Sequence, residues 1–275
     1  MSSSSSVPLL DDQLPPQNTL LRMESVQMQF GAQEVLRGIN LEIRRGETTV
    51  IIGESGCGKT VMLKLMIGLL RPTQGKVVFD DQDLARLSDR ELTSQRLRFG
   101  YVFQGAALFD SLTVYDNIAF PLREHTNKTS KEIEASITQL LSEVGLSTNV
   151  LTKKPAELSG GQRKRVGLAR ALILGPEMVL YDEPTTGLDP IMTDVINELI
   201  LQVQKKHPVT NVVVTHDMKT VMKVAERIIM LMPLSRLEPH EPQIIFDGTP
   251  TELAICSEPR VQQFVRGEAR LSIMQ

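Results

Sequence analysis

The chain has 275 residues, of which 41% are apolar, enough to bury a substantial core. A net charge of −3 and the absence of Trp argue against a polyanion-binding or base-stacking surface, so we expect no nucleic-acid partner. Two distant cysteines, Cys57 and Cys256, argue against a disulfide framework or zinc site and favour a reducing cytoplasmic compartment.

Residues 1–20 begin with a serine run and contain acidic residues and a Pro-Pro pair, without the basic start and apolar stretch of a signal peptide. This composition predicts a disordered tail. No later segment approaches 18 uninterrupted apolar residues, so no membrane span is predicted.

Strands and helices alternate along most of the chain. The predicted strands are 24–30, 39–43, 48–53, 76–79, 99–103, 178–182, 209–215 and 227–231. The predicted helices are 58–70, 131–144, 161–174, 188–204 and 218–225. This alternation predicts an α/β fold with a mainly parallel sheet covered on both faces. Residues 85–175 are mostly helical, which predicts a helical subdomain there.

A glycine-rich loop connects the strand 48–53 to the following helix and fits the pattern G-x-x-x-x-G-K-[ST]. Its residues are Gly53, Glu54, Ser55, Gly56, Cys57, Gly58, Lys59 and Thr60. In such a loop the backbone N–H groups point at phosphate oxygens, the lysine reaches the β- and γ-phosphates, and the hydroxyl binds Mg²⁺. The alternative is a glycine-rich turn without a ligand. Cys57 is either a neutral filler or, near a helix N-terminus, a thiol of lowered pKa.

Four polar residues end or directly follow predicted strands, and in parallel sheets ligands bind in a crevice at the carboxyl ends of the strands. Asp182 ends an apolar strand and is a candidate Mg²⁺ ligand, and Glu183 is a candidate base for the attacking water. His216 is a candidate contact to the γ-phosphate, and Gln104 to Mg²⁺ or the attacking water. Each residue taken alone is more often an exposed strand end or a structural side chain.

The segment Leu158-Ser-Gly-Gly-Gln162 narrows the class, because composition alone produces it in roughly one chain in several thousand. It resembles the signature sequence of ABC ATPases, and the other motifs stand in that family's order. The resemblance covers about residues 22–250 and implies an ABC ATPase domain over 21–250, with an antiparallel β subdomain and a helical subdomain. It implies that Phe30 stacks on adenine, although an aromatic residue on an early strand more often belongs to the core. It also implies that Asp189 lies in the D-loop.

The resemblance further implies a homodimer beneath integral membrane permease subunits, at the cytoplasmic face of the cell membrane. Ser159, Gly160 and Gly161 start a helix and offer N–H donors, and in the family this turn and Gln162 complete the nucleotide site of the opposite subunit. A basic group on the same helix is interpreted as a solvated helix face rather than a nucleic-acid site. It consists of Arg163, Lys164, Arg165 and Arg170.

Residues 105–122 and 259–267 resemble the ATPase of Mla-type phospholipid transporters, which work with Mce-domain proteins. This resemblance implies phospholipid transport, an Mce-type partner, and a helical extension over 251–275. Two features depart from that group: Gln162 stands where Met is common, and the segment after Gly267 is short. Amino-acid or other small-solute import is the alternative.

Two alternatives come from other classes. Soluble ABC ATPases of DNA repair or translation normally carry two cassettes or long insertions, and this sequence shows one compact cassette. A nucleotide-regulated scaffold with little turnover would not require the intact pair Glu183 and His216. The sequence therefore favours a transporter ATPase.

Overall fold

The computed structural model describes residues 18–268, and its strands form two sheets. The strands are β1 (Thr19–Phe30), β2 (Gln33–Arg44), β3 (Thr48–Gly53), β4 (Gln74–Phe79), β5 (Gln82–Asp83), β6 (Phe99–Val102), β7 (Met178–Asp182), β8 (Thr210–Val214), β9 (Arg227–Leu231) and β10 (Ile244–Gly248). An antiparallel sheet has the order β2-β1-β4-β5, and a central sheet has the order β10-β9-β3-β8-β7-β6.

Helices cover the central sheet. They are α1 (Lys59–Met66), α2 (Asp89–Arg96), α3 (Val114–His125), α4 (Ser130–Glu143), α5 (Gly160–Leu172), α6 (Pro190–Lys206), α7 (Met218–Val224), α8 (Pro250–Ile255) and α9 (Pro259–Arg266). Within residues 18–268, none of the helices combines the length and apolar character that a bilayer crossing requires.

The central sheet separates two hydrophobic cores, and alternate residues of one strand belong to different cores. Ile51 of β3 packs with α1 and the antiparallel sheet, whereas its neighbours Val50 and Ile52 pack with α3 to α7. The same alternation divides β7 and β8. Both faces are buried because successive side chains of a strand point in opposite directions, which explains the uninterrupted apolar runs. The predicted α/β fold with a mainly parallel sheet and an antiparallel sheet is confirmed.

The structure corrects the extent of the predicted tail. Residues 1–17 lie outside the described residues, but Thr19 and Leu20 begin β1, so the prediction of disorder is wrong for these two. Leu20 is buried, and its carbonyl oxygen accepts a hydrogen bond from the Asp80 N–H at 2.8 Å. Because Leu20 is buried and hydrogen-bonded to Asp80, β1 begins before the predicted strand start at residue 24.

Other predicted boundaries shift by a few residues. Helix α1 ends at Met66 rather than at residue 70, because Gly68 takes a left-handed conformation with φ of +68°, which ends a helix. Helix α3 is not among the predicted helices, because it contains Pro121, a residue that normally ends a helix. The segment 85–175 contains α2 to α5, together with β6, which joins the central sheet. The boundaries of a helical subdomain stay a prediction.

Helices α8 and α9 occupy part of the predicted C-terminal extension, whose last residues, 269–275, lie outside the described residues. Val261 of α9 is fully buried and Leu253 of α8 is nearly so, and both belong to the core that contains Val50 and Ile52. The described part of this segment therefore packs onto the ATPase domain.

The start of β4 allows a prediction about stability. Gly75 has φ of +79°, and a Cβ there would lie 2.4 Å from the carbonyl oxygens of Glu24 and Ser25. Gly31, between β1 and β2, has φ of +60° and open space around it. Because both Gly→Ala changes strain the backbone but only Gly75→Ala creates a clash, we expect Gly75→Ala to lower the free energy of unfolding by roughly 1–3 kcal/mol more than Gly31→Ala. Urea denaturation of both variants measures this difference, and equal destabilisation would contradict the clash.

Candidate functional site

The phosphate-loop segment Gly53–Thr60 runs from the end of β3 into α1, and its glycines allow close approach of the backbone. Gly53 has φ of +148°, and a Cβ there would lie 2.3 Å from the Leu231 carbonyl oxygen. Gly58 has φ of +100°, and a Cβ there would lie 2.6 Å from Leu36 Cδ2. Larger residues would have to displace β9 or β2. The glycines of the motif are therefore required by the fold as well as by any ligand.

This segment lines a cavity of about 370 Å³ at the carboxyl edge of the central sheet. Three of the strand-end residues singled out from the sequence also line it: Gln104, Glu183 and His216. The remaining lining residues are Val35, Ser55, Gly56, Gly58, Lys59, Thr60 and Val61. The parallel register thus brings residues that lie far apart in the sequence to one cavity.

Lys59 is nearly buried at the base of this loop. Its Nζ donates hydrogen bonds to the carbonyl oxygens of Gly53 at 2.7 Å and Glu54 at 3.1 Å. These contacts hold the ammonium group against the loop, while the start of α1 adds the positive end of a helix dipole. The loop therefore concentrates positive potential where a phosphate group would lie.

Thr60 and Asp182 lie together although 122 positions separate them in the chain. The Thr60 hydroxyl donates to Asp182 Oδ1 at 2.9 Å, and the Tyr101 hydroxyl donates to Asp182 Oδ2 at 3.1 Å. Burial, reinforced by the Asp182 carboxylate, raises the pKa of the Tyr101 hydroxyl, which is the hydrogen-bond donor in this pair. No sequence pattern marks Tyr101, because its position beside Asp182 comes from the pairing of β6 with β7.

The oxygen donors fit Mg²⁺ in one particular way. No group of three or more His, Cys, Asp or Glu side chains with metal-site geometry occurs in residues 18–268. One carboxylate and one hydroxyl at hydrogen-bond distance suit a cation that keeps waters and takes further ligands from substrate phosphates, as Mg²⁺ does. The donor set therefore suits a metal ion that arrives with a phosphate compound.

Glu183 is held in a strained and well-defined position. Its φ is +50°, which is unfavourable for a residue with a Cβ, and its N–H donates to the Val214 carbonyl oxygen at 2.9 Å. The carboxylate lies 2.9 Å from His216 Nδ1 and accepts a hydrogen bond from the Thr186 hydroxyl at 3.2 Å. Strained backbone at a cavity is typical of a functional position.

Lys164 corrects the interpretation of α5 as a solvated basic face. Its side chain is buried, and Nζ donates to the carbonyl oxygens of Gln104 and, at 3.4 Å, Glu183. Burial lowers the pKa of Lys164, an effect that the nearby Glu183 and Asp182 carboxylates oppose. Arg170 is also turned inward, with Nη2 donating to the Ala106 carbonyl oxygen at 3.0 Å. The solvated-face prediction is wrong for these two residues because α5 packs its basic side chains across backbone carbonyls.

Cys57 is buried, and burial raises the pKa of its thiol. The expectation of a lowered pKa is therefore wrong, because desolvation outweighs the favourable charge of Lys59. Neighbouring Glu54 forms an ion pair with Arg236. Neither residue lines the cavity, so within the loop these two contribute backbone rather than side chain to its wall.

The signature segment does not reach the cavity of its own chain: none of the cavity-lining residues comes from Leu158–Gln162. Ser159 instead caps α5, with Oγ accepting from the Gln162 N–H at 3.2 Å, and the Gln162 side chain accepts from the Ser159 N–H at 2.9 Å. Asp189 similarly caps α6. Phe30 is 46% exposed at the end of β1 and does not line the cavity. Within one chain none of these residues lines the cavity at the phosphate loop.

A second concavity, of about 430 Å³, is lined by β6, by the segment that follows it and by residues of α3 and α5. Three aromatic side chains in its wall, Phe103, Phe109 and Phe120, are 39–45% exposed. Phe109 and Phe120 contact each other with ring centroids 5.1 Å apart. We call this concavity the aromatic groove. Clustered exposed aromatic residues are typical of an interaction surface.

Comparison with known proteins gives one consistent family. Residues 36–186, more than half of the chain, match the family model described as ABC transporter. The chain is 38% identical over 250 residues to the "Intermembrane phospholipid transport system ATP-binding protein MlaF" of Haemophilus influenzae, covering 91% of each chain. It is 39% identical over 252 residues to the "Probable ribonucleotide transport ATP-binding protein mkl" of Mycobacterium leprae, covering 92% of this chain and 70% of the relative.

A solved structure has the same fold. It is the dimeric post-hydrolysis state of the ATP-binding cassette MJ0796 bound to ADP and Pi, with a TM-score of 0.74 and 31% identity. The match covers 84% of this chain and 98% of that cassette. This identity and coverage extend the likeness beyond the motifs to nearly the whole cassette.

Proposed function

This chain belongs to the ABC transporter family of ATP-binding proteins, and from that membership we propose that it hydrolyses Mg²⁺-ATP to power phospholipid transport. The observation that supports this best is the single cavity where the phosphate loop, Glu183 and His216 meet. The cavity offers phosphate-binding amides on one side and a carboxylate base on the other. ATP hydrolysis needs both.

The phosphate groups of ATP bind along the N–H groups of the loop, with Lys59 against the β- and γ-phosphates. Thr60, Asp182 and Gln104 hold Mg²⁺, which neutralises phosphate charge when bound. Phe30 stacks on adenine from the end of β1. The short distance between Thr60 Oγ1 and Asp182 Oδ1, 2.9 Å, supports this assignment, because both oxygens can face the same cation.

Glu183 acts as the base that orients and deprotonates the attacking water. His216 Nδ1 at 2.9 Å from the carboxylate fixes its rotamer and leaves the ring beside the position of the γ-phosphate. Val214 holds the backbone N–H of Glu183, and His216 and Thr186 hold its carboxylate. Rigid placement matters because a proton acceptor must lie within hydrogen-bond distance of its water.

We expect Glu183→Gln to bind Mg²⁺-ATP with nearly wild-type affinity but to hydrolyse it about 10²–10⁴-fold more slowly, because an amide cannot take the proton of the water. The trapped nucleotide should also hold the closed dimer together, which size-exclusion chromatography with Mg²⁺-ATP detects. The same Glu→Gln change at the exposed Glu134 on α4 is the control and should leave turnover unchanged. Near-normal hydrolysis by Glu183→Gln would remove this residue as the base.

The chain works as a homodimer in which each nucleotide is completed by the opposite copy. Each chain has one phosphate loop and one signature segment, and the signature segment does not line its own cavity. The turn at the start of α5, which includes Gly160 and Gly161, carries N–H donors suited to a γ-phosphate across the interface. Gln162 and the D-loop residue Asp189 lie at the same interface. The dimeric relative bound to ADP and Pi supports this arrangement.

Ser159→Arg should leave nucleotide binding by a single chain unchanged but should prevent dimer closure and abolish turnover, because the large cation fills the shared site. Ser88→Arg is a matched control: Ser88 is also an N-cap residue with a capping box, at the exposed start of α2. Both variants lose a helix cap worth about 1 kcal/mol, so only the interface effect differs between them. Dimerisation by light scattering and ATPase rate are measured together. Equal activities would refute the shared site.

Membrane-spanning partner subunits dock in the aromatic groove, and the chain is peripheral at the cytoplasmic face of the cell membrane. The groove offers Phe103, Phe109 and Phe120 to an apolar segment of the partner. Its wall includes Phe103 and Ala107, which lie on either side of the cavity-lining Gln104 in the chain, so docking and nucleotide binding share one segment. This continuity supports transmission of movement from the ATPase to a permease.

Phospholipid is the proposed cargo, with an Mce-domain lipid-binding protein as a further partner. The similarity to the ATPase of an intermembrane phospholipid transport system, over 91% of both chains, supports this choice. The similarity to a protein named for ribonucleotide transport provides a second candidate to test. Both candidates use the same ATPase cycle.

The cargo is tested with the ATPase and its permease reconstituted in proteoliposomes. We expect ATP-dependent transfer of a fluorescent phospholipid to acceptor vesicles, and its loss with Glu183→Gln in the same complex. ATP-dependent uptake of a ribonucleotide or amino acid without lipid transfer would overturn the phospholipid assignment and leave the ATPase assignment standing. Absence of ATP hydrolysis in the wild-type complex would overturn both.

A further inference from the structure

The connection between β9 and β10 is unusually long for two directly paired strands. The strands are antiparallel neighbours, yet the connection spans residues 232–243, whereas hairpin connections commonly have about two to five residues. It leaves the sheet edge and contacts the phosphate loop, where Arg236 forms an ion pair with Glu54. Arg37 of β2 also contacts it, donating to the Pro239 carbonyl oxygen at 3.4 Å. We call residues 232–243 the hairpin loop.

Gln243, the last residue of the hairpin loop, is only 2% exposed and uses both ends of its amide. Its Nε2 donates to the carbonyl oxygens of Cys57 and Val35, each at 3.1 Å. Its Oε1 accepts a hydrogen bond from the Arg37 N–H at 3.0 Å. A buried amide with partners at both ends is a rigid connector, because each bond fixes the orientation of the others. It joins β2, the phosphate loop and β10.

The contact to Cys57 determines where the next amide points. The carbonyl of Cys57 and the N–H of Gly58 belong to one planar trans peptide, in which the two groups point in opposite directions. Gln243 binds the carbonyl from outside the loop, and Gly58 lines the cavity. Holding the carbonyl outward therefore aims the Gly58 N–H into the cavity. Glycine rotates freely about φ, so this peptide has little intrinsic preference and needs an external restraint.

We propose that Gln243 is a positioning residue for nucleotide binding: it holds the peptide between Cys57 and Gly58 so that the Gly58 N–H faces the phosphates. The proposal rests on the proposed function, because the amide has this role only when a nucleotide binds the loop. Gln243 acts through the loop and touches no nucleotide. ATP and ADP should depend on it equally, because this part of the loop contacts phosphates that both nucleotides carry.

The test compares Gln243→Met with Gln243→Asn in the full-length protein. Methionine keeps the side-chain volume but cannot donate to Cys57, and asparagine keeps the amide but is one methylene shorter. We expect the Kd of both Mg²⁺-ATP and Mg²⁺-ADP to rise about tenfold, because a misaligned amide loses a charge-assisted hydrogen bond. We expect kcat at saturating ATP in the reconstituted complex to stay within about twofold of the wild-type value. The lost contact stabilises bound ATP and the transition state equally, so its removal weakens binding without slowing the chemical step.

Gln204→Leu is the matched control. Gln204 also donates two hydrogen bonds, to the Gly46 carbonyl oxygen at 2.9 Å and to Glu226 at 2.7 Å, but contacts no part of the phosphate loop. Its variant should bind both nucleotides like the wild type. Unchanged Kd values for both Gln243 variants, or equal losses in Gln204→Leu, would overturn the positioning role. A lower kcat at unchanged Kd would also overturn it. A wild-type protein that binds no nucleotide would instead refute the proposed function.

Discussion

The register of three parallel strands determines where the strand-end residues of the candidate site lie. In that register β8 lies between β3 and β7, with Val214 opposite both Ile51 and Asp182. Backbone pairing continues past the strand ends, because the Thr215 N–H donates to Ile51 and the Glu183 N–H donates to Val214. A shift of one residue would move each side chain to the other face of the sheet. The chemistry therefore depends on the burial of both sheet faces, which fixes this register.

The polar groups of the site bind one another across elements. Lys59 bonds to the loop carbonyls, Thr60 to Asp182, and Glu183 to His216. Each of these bonds includes an ionised group, so each contributes roughly 1.5–3 kcal/mol, more than a bond between neutral groups. A phosphate oxygen offers Lys59 an ionised acceptor in place of a neutral carbonyl oxygen. The same contacts keep the buried polar groups satisfied and hold their side chains near the positions that binding requires.

Much of the fold and the cavity can be predicted from the sequence, because local patterns determine them. Uninterrupted apolar runs located β3, β7 and β8, and polar residues directly after such runs, such as Glu183 and His216, reach the same edge. The unpredicted contacts depend on tertiary structure instead. Tyr101 reaches Asp182 only because β6 pairs with β7, and Gln243 reaches Cys57 only through the hairpin loop. Neither Tyr101 nor Gln243 directly follows a predicted strand or belongs to a motif, so no local pattern marks these two residues.

The basic residues of α5 led to a wrong prediction, because their charge alone does not show where the side chains point. Its basic residues resemble a solvated face by composition, yet Lys164 and Arg170 point inward at carbonyl groups. Backbone carbonyls at the end of β6 and in the following segment are acceptors that the sheet cannot satisfy, and long cationic side chains can reach them. One helix thus begins with the signature turn, holds the backbone of Gln104 and Glu183 through Lys164, and contacts the aromatic groove through Arg170. A short rigid element with these three connections links the movements of the signature turn, the backbone beside the phosphate-loop cavity and the wall of the aromatic groove.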